Sequence, residues 1–466
     1  MIRIALGLEL RNLARSPLRV LVLALVVAVG GVVTIQGQND VDRWNRAIEE
    51  GVIAQNNALA EARAWFSEGE NRQQDRPWID LRQAHWQDIF AATRIVRAPE
   101  PLAGIAFASA EAGAITMRLN RFADPLVAQG DKIENPALAA AGGLDLVTVL
   151  SLLIPLLVLA LGVEVGGYER ASGLLPLVQV QTGRDRSWIW ARCFAIGLIV
   201  ATVALVLCTL ATAAAGAGPQ DALPLYALAL VYVGIWTAIL AVVGIVSRNP
   251  SHGAVGLGSA WIFLCVLVPS LGVERSAALA ADDFALDLTI EARDSRNDAY
   301  EMNEDELYAL VYDRWPALRD KEPRPRRAGI LHARDGVRIV GLESRLRQRV
   351  DQGQAHRQLV ESMLFASPAL VFTHALERLA GRSPASAQAF REAAVDAVAN
   401  RTELVIGANW SQKALGNDDF ETLVKSSPRV APMPIAAWHK DLLVLVLWLL
   451  LLAGLANLLP RRMSQS

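Results

Sequence analysis

Val20-Leu21-Val22-Leu23-Ala24-Leu25-Val26-Val27-Ala28-Val29-Gly30-Gly31-Val32-Val33-Thr34-Ile35-Gln36 contains no Asp, Glu, Lys or Arg. At 1.5 Å rise per residue, roughly 17 to 25 such residues cross a hydrocarbon core of about 30 Å as a helix. Comparable stretches follow at Leu146 to Val163, Cys193 to Ala215, Ala222 to Val246, Ser251 to Val273 and Leu442 to Pro460. One apolar run alone reads equally well as the core helix of a soluble protein. Six in a chain of 466 residues do not. The expected fold is a polytopic alpha-helical membrane protein, with six transmembrane helices and two large, mainly helical or mixed external inserts.

The first run also resembles a cleaved signal peptide, because Arg3, Arg11, Arg15 and Arg19 precede it and Ala28-Val29-Gly30 lies near its end. Its uncharged stretch continues through Asn39, and the later spans alternate correctly only if it is retained. Short cytoplasmic segments are enriched in Arg and Lys. Arginines occupy the N-terminal stub, the loop from Glu164 to Arg192, the turn at Arg248 and the tail at Arg461 and Arg462, whereas the turn after the third span carries Asp221 and no basic residue. The expectation is a multi-pass protein of the bacterial cytoplasmic (inner) membrane, with both termini cytoplasmic. Its segments are an interfacial helix at 1–16, a first span at 17–36, an external insert at 37–145, a span at 146–163, a cytoplasmic loop at 164–192, spans at 193–215, 222–246 and 251–273, a second external insert at 274–441, a last span at 442–460 and a tail at 461–466. Ile2, Leu6, Leu10 and Leu13 recur on one face of the first segment, with Pro17 turning the chain into the membrane.

Several chemistries are excluded. Lys and Arg number 45 against 47 Asp and Glu, a net charge of -2, which lacks the basic excess of a nucleic-acid binder. Cys193, Cys208 and Cys265 all lie in or at apolar spans, leaving no disulfide framework for the inserts. His85, His252, His332, His356, His374 and His439 are scattered without ligand spacing, and the acidic groups at Asp282, Asp283, Asp287 and at Glu304, Asp305, Glu306 read as solvated surface rather than a calcium loop. No phosphate-binding loop is present, so no catalytic, metal or cofactor residue is assigned. The six apolar stretches contain no ionisable Asp, Glu, Lys or Arg for a proton relay, which counts against a self-contained carrier.

Within the first insert, Asn39 to Trp65 reads as a helix leaving the membrane, Gly69 to Pro77 as a break, and Phe107 to Phe122 as too irregular for a strand. In the second, Glu322 to Arg327 reads as a connector and Leu342 to Phe365 as a charged helix weakened by Gly353. Trp78, Trp86, Trp315 and Trp410 can pack a core or anchor an interface. Pro155 is the expected kink in the second span, and Gly166-Gly167 a place of close approach.

The loop between the second and third spans reads Tyr168-Glu169-Arg170-Ala171-Ser172-Gly173-Leu174-Leu175-Pro176-Leu177, continuing to Thr182-Gly183-Arg184 and Arg186. Glu169 and Arg170 read as helix-surface charges, Gly173 as a turn, and Leu174, Leu175 and Leu177 as a small apolar face that needs either the membrane surface or a soluble partner. The pattern E-R-x-S-G-x-L-x-L from Glu169 to Leu177 resembles the coupling-helix loop of ABC-2 type exporter permeases. Phe365-Ala366-Ser367-Pro368-Ala369-Leu370 and Ala375-Leu376-Glu377-Arg378-Leu379-Ala380-Gly381, together with two large inserts, resemble the branch with large periplasmic inserts, similar in its membrane core to nitrous-oxide-reductase maturation permeases.

That resemblance implies a non-catalytic permease subunit, with ATP and Mg on a separate cytoplasmic ABC ATPase dimer. It also implies a second identical or similar permease subunit, and Glu169, Arg170, Ser172, Gly173, Leu174, Leu175, Leu177, Arg184 and Arg186 as the coupling contact. A periplasmic cargo or accessory protein and membrane lipid complete the expected partners. The alternatives are a membrane-anchored sensory or assembly protein with external binding domains, and a self-contained secondary transporter.

Overall fold

The computed structural model describes residues 1–67, 72–73, 76–107, 116–120, 144–182, 185–271, 284–320, 327, 329–341, 344, 365–426 and 438–459. Helix α1 (Ile2–Arg15) ends because Pro17 disfavours a helical residue before it, and Ser16 is extended at φ -107°. Helix α2 (Pro17–Ser67) then runs unbroken for 51 residues, roughly 75 Å at the α-helical rise. The first span and the helix expected from Asn39 to Trp65 are therefore one rod, with no joint at Gly30, Gly31 or Gly37. Beyond it come the short strands β1 (Arg72–Gln73) and β2 (Arg76–Asp80), helix α3 (Ala84–Phe90), and strands β3 (Thr93–Val96) and β4 (Thr116–Leu119). β3 and β4 pair antiparallel, Ile95 opposite Met117, so the stretch from Phe107 to Phe122 does contain a strand. With four residues, one of them the exposed Arg118, it has too little alternation to read in sequence.

The second span opens at Leu146 under an Asp145 cap, passes through a π-helical segment at Val149–Leu153, and continues as α4 (Ile154–Gly162). Two short helices follow, α5 (Gly167–Ala171) and α6 (Leu174–Thr182), then the long spans α7 (Asp185–Ala214) and α8 (Pro219–Val246). The fifth span is α9 (Pro250–Trp261) extended by a second π-helical segment, Ile262–Leu267. Helices α10 (Phe284–Glu301) and α11 (Glu304–Arg314), a helical run over 329–341, α12 (Pro368–Leu379), α13 (Pro384–Trp410) and α14 (Asn417–Lys425) precede the last span, α15 (Trp438–Leu458). Among the described residues six helices are thus long and apolar enough to cross a membrane, and the chain is a helical membrane protein.

Burial separates the spans into a centre and a rim. The apolar windows of the second, third and fourth spans are 61%, 50% and 56% buried, against 22%, 11% and 17% for the first, fifth and sixth. One apolar core joins the spans, but it also includes Ala369, Phe372, Ala375, Leu376 and Leu379 of α12 and the 3-10 turn Ala103–Ala106. Parts of both inserts therefore pack among the spans instead of standing clear of them.

The π-helical segments explain how α12 is held. Pro155 has no amide hydrogen for the turn before it, and the carbonyls there take side-chain donors: Ser151 O from the Tyr232 hydroxyl at 2.7 Å, and Leu152 O from Trp261 Nε1 at 3.1 Å. In the other segment Val268 N reaches Phe263 O, so the amide due to reach Leu264 O belongs to Pro269 and does not exist. Ser367 Oγ donates to Leu264 O at 2.6 Å instead, while accepting from Ala369 N as the α12 N-cap. One turn on, Phe372 stacks on Tyr232 with centroids 4.1 Å apart. The irregularity expected at Pro155 is thus the turn before it.

Past the apolar spans, both inserts pack on α13 in three separate apolar clusters. Along α13, Phe390, Ala394 and Val398 cover Ile95, Met117 and Leu119; Val405 joins Leu59 and Ala62 of α2 with Leu81, Phe420 and Leu423; Ile406 and Trp410 meet Leu307, Val311 and Ala333. Arg401 and Asp88, 3% and 1% exposed, form an ion pair across the two inserts, and the same guanidinium donates to Ala91 O at 3.0 Å. Of the four tryptophans, Trp410 is 1% exposed with Tyr308 and Tyr312 edge-on, Trp78 is 64% exposed, Trp315 donates to Glu403, and Trp86 lies beside His85 and Phe90. The α2 rod is pinned where Gly37 meets Gly104 and where Trp44 lies under the Arg382 guanidinium, which also pairs with Asp40. The connector at Glu322 to Arg327 and the helix expected at Leu342 to Phe365 fall almost wholly outside the described residues, as do Asp282 and Asp283. Glu304, Asp305 and Glu306 are exposed in the first turn of α11, where Asn303 caps the helix.

Candidate coupling site

The loop motif lies at the end of the bundle where α1 and Leu459 also lie. α4 ends in a tight turn that only glycine permits: Gly166 has φ +78°, and a Cβ there would fall 2.0 Å from Gly244 O at the end of α8. A Cβ on Gly167 would fall 2.4 Å from Asn249 O, so both glycines bring this turn against the one between α8 and α9.

That approach buries Glu169 to 4% exposure. Its Oε2 accepts from Gly166 N at 2.5 Å, and its Oε1 from Trp188 Nε1 and Arg192 Nη1, both at 2.8 Å. Arg192, on α7, also pairs at 2.5 Å with Glu9 of α1, and these side chains are 6% and 3% exposed. Two carboxylates thus share one guanidinium and tie α1, α5 and α7 together. Ala5, packed on Ala191 and Ala195, brings α1 close enough for that contact.

Arg170 caps a helix from outside. The last carbonyls of α8 have no intrahelical donors, and the guanidinium donates to Gly244 O at 2.8 Å, Ile245 O at 2.7 Å and Ser247 O. A cation at a helix C-terminus also complements the helix dipole. Arg186 does the same for α15, donating to Asn457 O at 2.8 Å and to Leu459 O.

Several expectations change as a result. Glu169 and Arg170 are not helix-surface charges; they are fastenings inside the chain, because the glycine turn draws them under α8. On α1 the deepest residues are Ala5 and Glu9; of the expected apolar face, Leu6 and Leu13 are partly buried against the bundle, while Ile2 and Leu10 are 53% and 49% exposed. In sequence Glu9 and Arg192 count only as charges that set orientation and Trp188 only as the far end of the loop motif, with no role in a site. The available signal was Glu9 one turn after Ala5 on α1, and Arg192 immediately before an uncharged stretch. Ser172 is exposed at the end of α5, and Gly173, at φ +72°, joins α5 to α6. Arg184 lies outside the described residues.

The apolar face is divided. Leu175 is 8% exposed and belongs to the bundle core, whereas Leu174, Leu177 and Val180 are 45%, 61% and 86% exposed at three-residue spacing on α6. No group of three or more His, Cys, Asp or Glu side chains able to hold a metal ion occurs among the described residues. Comparison with known proteins finds no matching family model and no matching curated protein.

Proposed function

We propose that the chain is the membrane subunit of an ABC-type assembly, in which α6 receives a separate cytoplasmic ATPase whose cycle drives export or mechanical work beyond the membrane. The observation that carries this reading is the stripe Leu174, Leu177 and Val180, exposed on a short helix whose neighbours are fastened to α1, α7, α8 and α15 by Glu169, Arg170 and Arg186. An apolar stripe on a helix is what a partner's groove receives. Push on α6 is then carried into four helices by these bonds, buried at Glu169 and partly exposed at Arg170 and Arg186, instead of being absorbed by a loose loop. The weakly buried first and fifth spans leave apolar flanks for a second permease subunit. The end with the termini faces the cytoplasm in this reading, and the shared insert body faces the periplasm.

Leu177→Glu and Val180→Glu test it. Both positions are largely exposed, so insertion and folding stay intact while co-purification of an ATPase and nucleotide-dependent work are lost; retention of both sinks the assignment. Orientation is checked by thiol labelling of Val180→Cys and Asp305→Cys in a background without native cysteines, with labelling expected from opposite sides.

A further inference from the structure

Beside the fastened loop, a cavity of about 800 Å³ opens between α1, the first turns of α2, the end of α4, α5, α6 and the start of α7. Its size matches small-molecule sites, which typically run to about 300–1,000 Å³. Its wall is divided by chemistry. Arg15, Arg19 and Tyr168 line one part; Val22, Ala160 and Val163 line another. The carboxylates in the lining are already engaged: Glu169 accepts from Gly166, Trp188 and Arg192, and Glu164 pairs with Arg19 at 2.7 Å. Arg15 is exposed and has no carboxylate partner among the described residues. Arg192 is shared by Glu169 and Glu9 and Arg19 is held by Glu164, so Arg15 is the cation of the lining that no carboxylate engages among the described residues.

The apolar part continues onto the flank of α2, where Leu18 and Leu21 are 68% and 64% exposed. Val20 opens the uncharged stretch, so Arg15 and Arg19 stand where phosphate headgroups would lie and Val22 where acyl chains begin. A free phosphate would use only the guanidinium part of this wall. A molecule with one phosphate and a hydrocarbon chain uses both.

We infer that this cavity binds one anionic phospholipid, its phosphate between Arg15 and Arg19 and its acyl chain along Val22, Ala160 and Val163. Basic pockets between membrane helices are a recurrent site for such headgroups. The cavity shares Leu174 with the proposed docking stripe and is also lined by Val178 of α6, so lipid binding is tested on the chain alone, where no ATPase competes for that wall.

The test uses the full-length chain in detergent, titrated with phosphatidylglycerol, with phosphatidylcholine of the same acyl composition, and with inorganic phosphate, lipid retention being counted by native mass spectrometry. Phosphatidylglycerol is expected to remain bound as a single molecule with about tenfold preference over phosphatidylcholine. Arg15→Gln should weaken it about tenfold, the scale of one lost charge-assisted hydrogen bond, with an unchanged unfolding midpoint. Ala160→Phe, which fills the apolar wall and keeps both arginines, should displace it as well. Equal retention of the two lipids, unaltered binding by Arg15→Gln, or competition by inorganic phosphate at concentrations near those of the lipid would each overturn the assignment.

Discussion

Glu169→Ala separates a structural fastening from a surface contact by magnitude. The carboxylate is 4% exposed and serves three donors, Gly166 N, Trp188 Nε1 and Arg192 Nη1, within 2.8 Å. Removing it leaves a partly buried indole and a buried backbone amide without their acceptor, and leaves Arg192 with Glu9 alone. Breaking a buried ion pair by deleting one partner costs about 3–5 kcal/mol. An exposed pair costs about 1 kcal/mol or less. Reversible unfolding of the purified chain in mixed micelles, followed by tryptophan fluorescence, should therefore show a loss of at least about 3 kcal/mol. Glu9→Ala removes the other carboxylate, and the double variant should cost less than the sum of the singles because both act on Arg192. A loss under about 1 kcal/mol for Glu169→Ala, or strict additivity, refutes the reasoning and returns Glu169 to the surface.

Gly37→Val should destabilise the attachment of the insert body, because even its Cβ would lie 1.8 Å from Gly104 O; a loss of about 1–3 kcal/mol or more, with α2 still inserted, is the expected result in the same unfolding assay. Glu377, raised to about 7 from 4.5 by burial and then by nearby Asp145, binds its proton more tightly folded than unfolded. Its contribution is fully present below pH 4.5 and is lost as pH rises through about 7, by at most about 3 kcal/mol, so Glu377→Gln should flatten stability over that window. His374, lowered to about 4 by burial and then by Arg378, works in the opposite sense, losing its contribution as pH falls from 6.5 through about 4.

The six spans were legible because a bilayer imposes one requirement, length without charge, that a sequence window measures directly. Pairings across the chain left no such mark. Arg401 and Asp88 are more than 300 positions apart, each an ordinary polar residue in its own neighbourhood, and only folding of both inserts around α13 makes them a buried pair. The motif from Glu169 to Leu177 was visible as a pattern, yet its charges were misplaced. A two-residue charged step beside a glycine reads as surface until Gly166 is known to have positive φ and to abut Gly244. The strand Thr116–Leu119 was lost for want of length, and the turn before Pro155 shows that a proline marks an irregularity without fixing which carbonyls it frees.

Helix α8 links the two halves of the molecule. At one end its last carbonyls hold Arg170 of the loop; near its middle Tyr232 supports Phe372 of α12 and bonds to Ser151 O. α12 leads through Gly381 and Arg382 into α13, the helix on which both inserts fold, and Arg382 meets Asp40 and Trp44 of the α2 rod. Displacement of α5 relative to the spans would thus act on the insert body along a continuous packed route, with α8 as a shared strut. The π-helical turns are where that route can give way: carbonyls there are held by side-chain donors, Ser151 O by Tyr232 and more weakly by Cys265, Leu152 O by Trp261 and Leu264 O by Ser367, which exchange at lower cost than a regular helical ladder breaks. In the proposed assembly, the buried charges make the terminal end stiff and the proline-released carbonyls make the bundle interior compliant. That division suits a subunit that receives force at α6 and delivers it beyond the membrane.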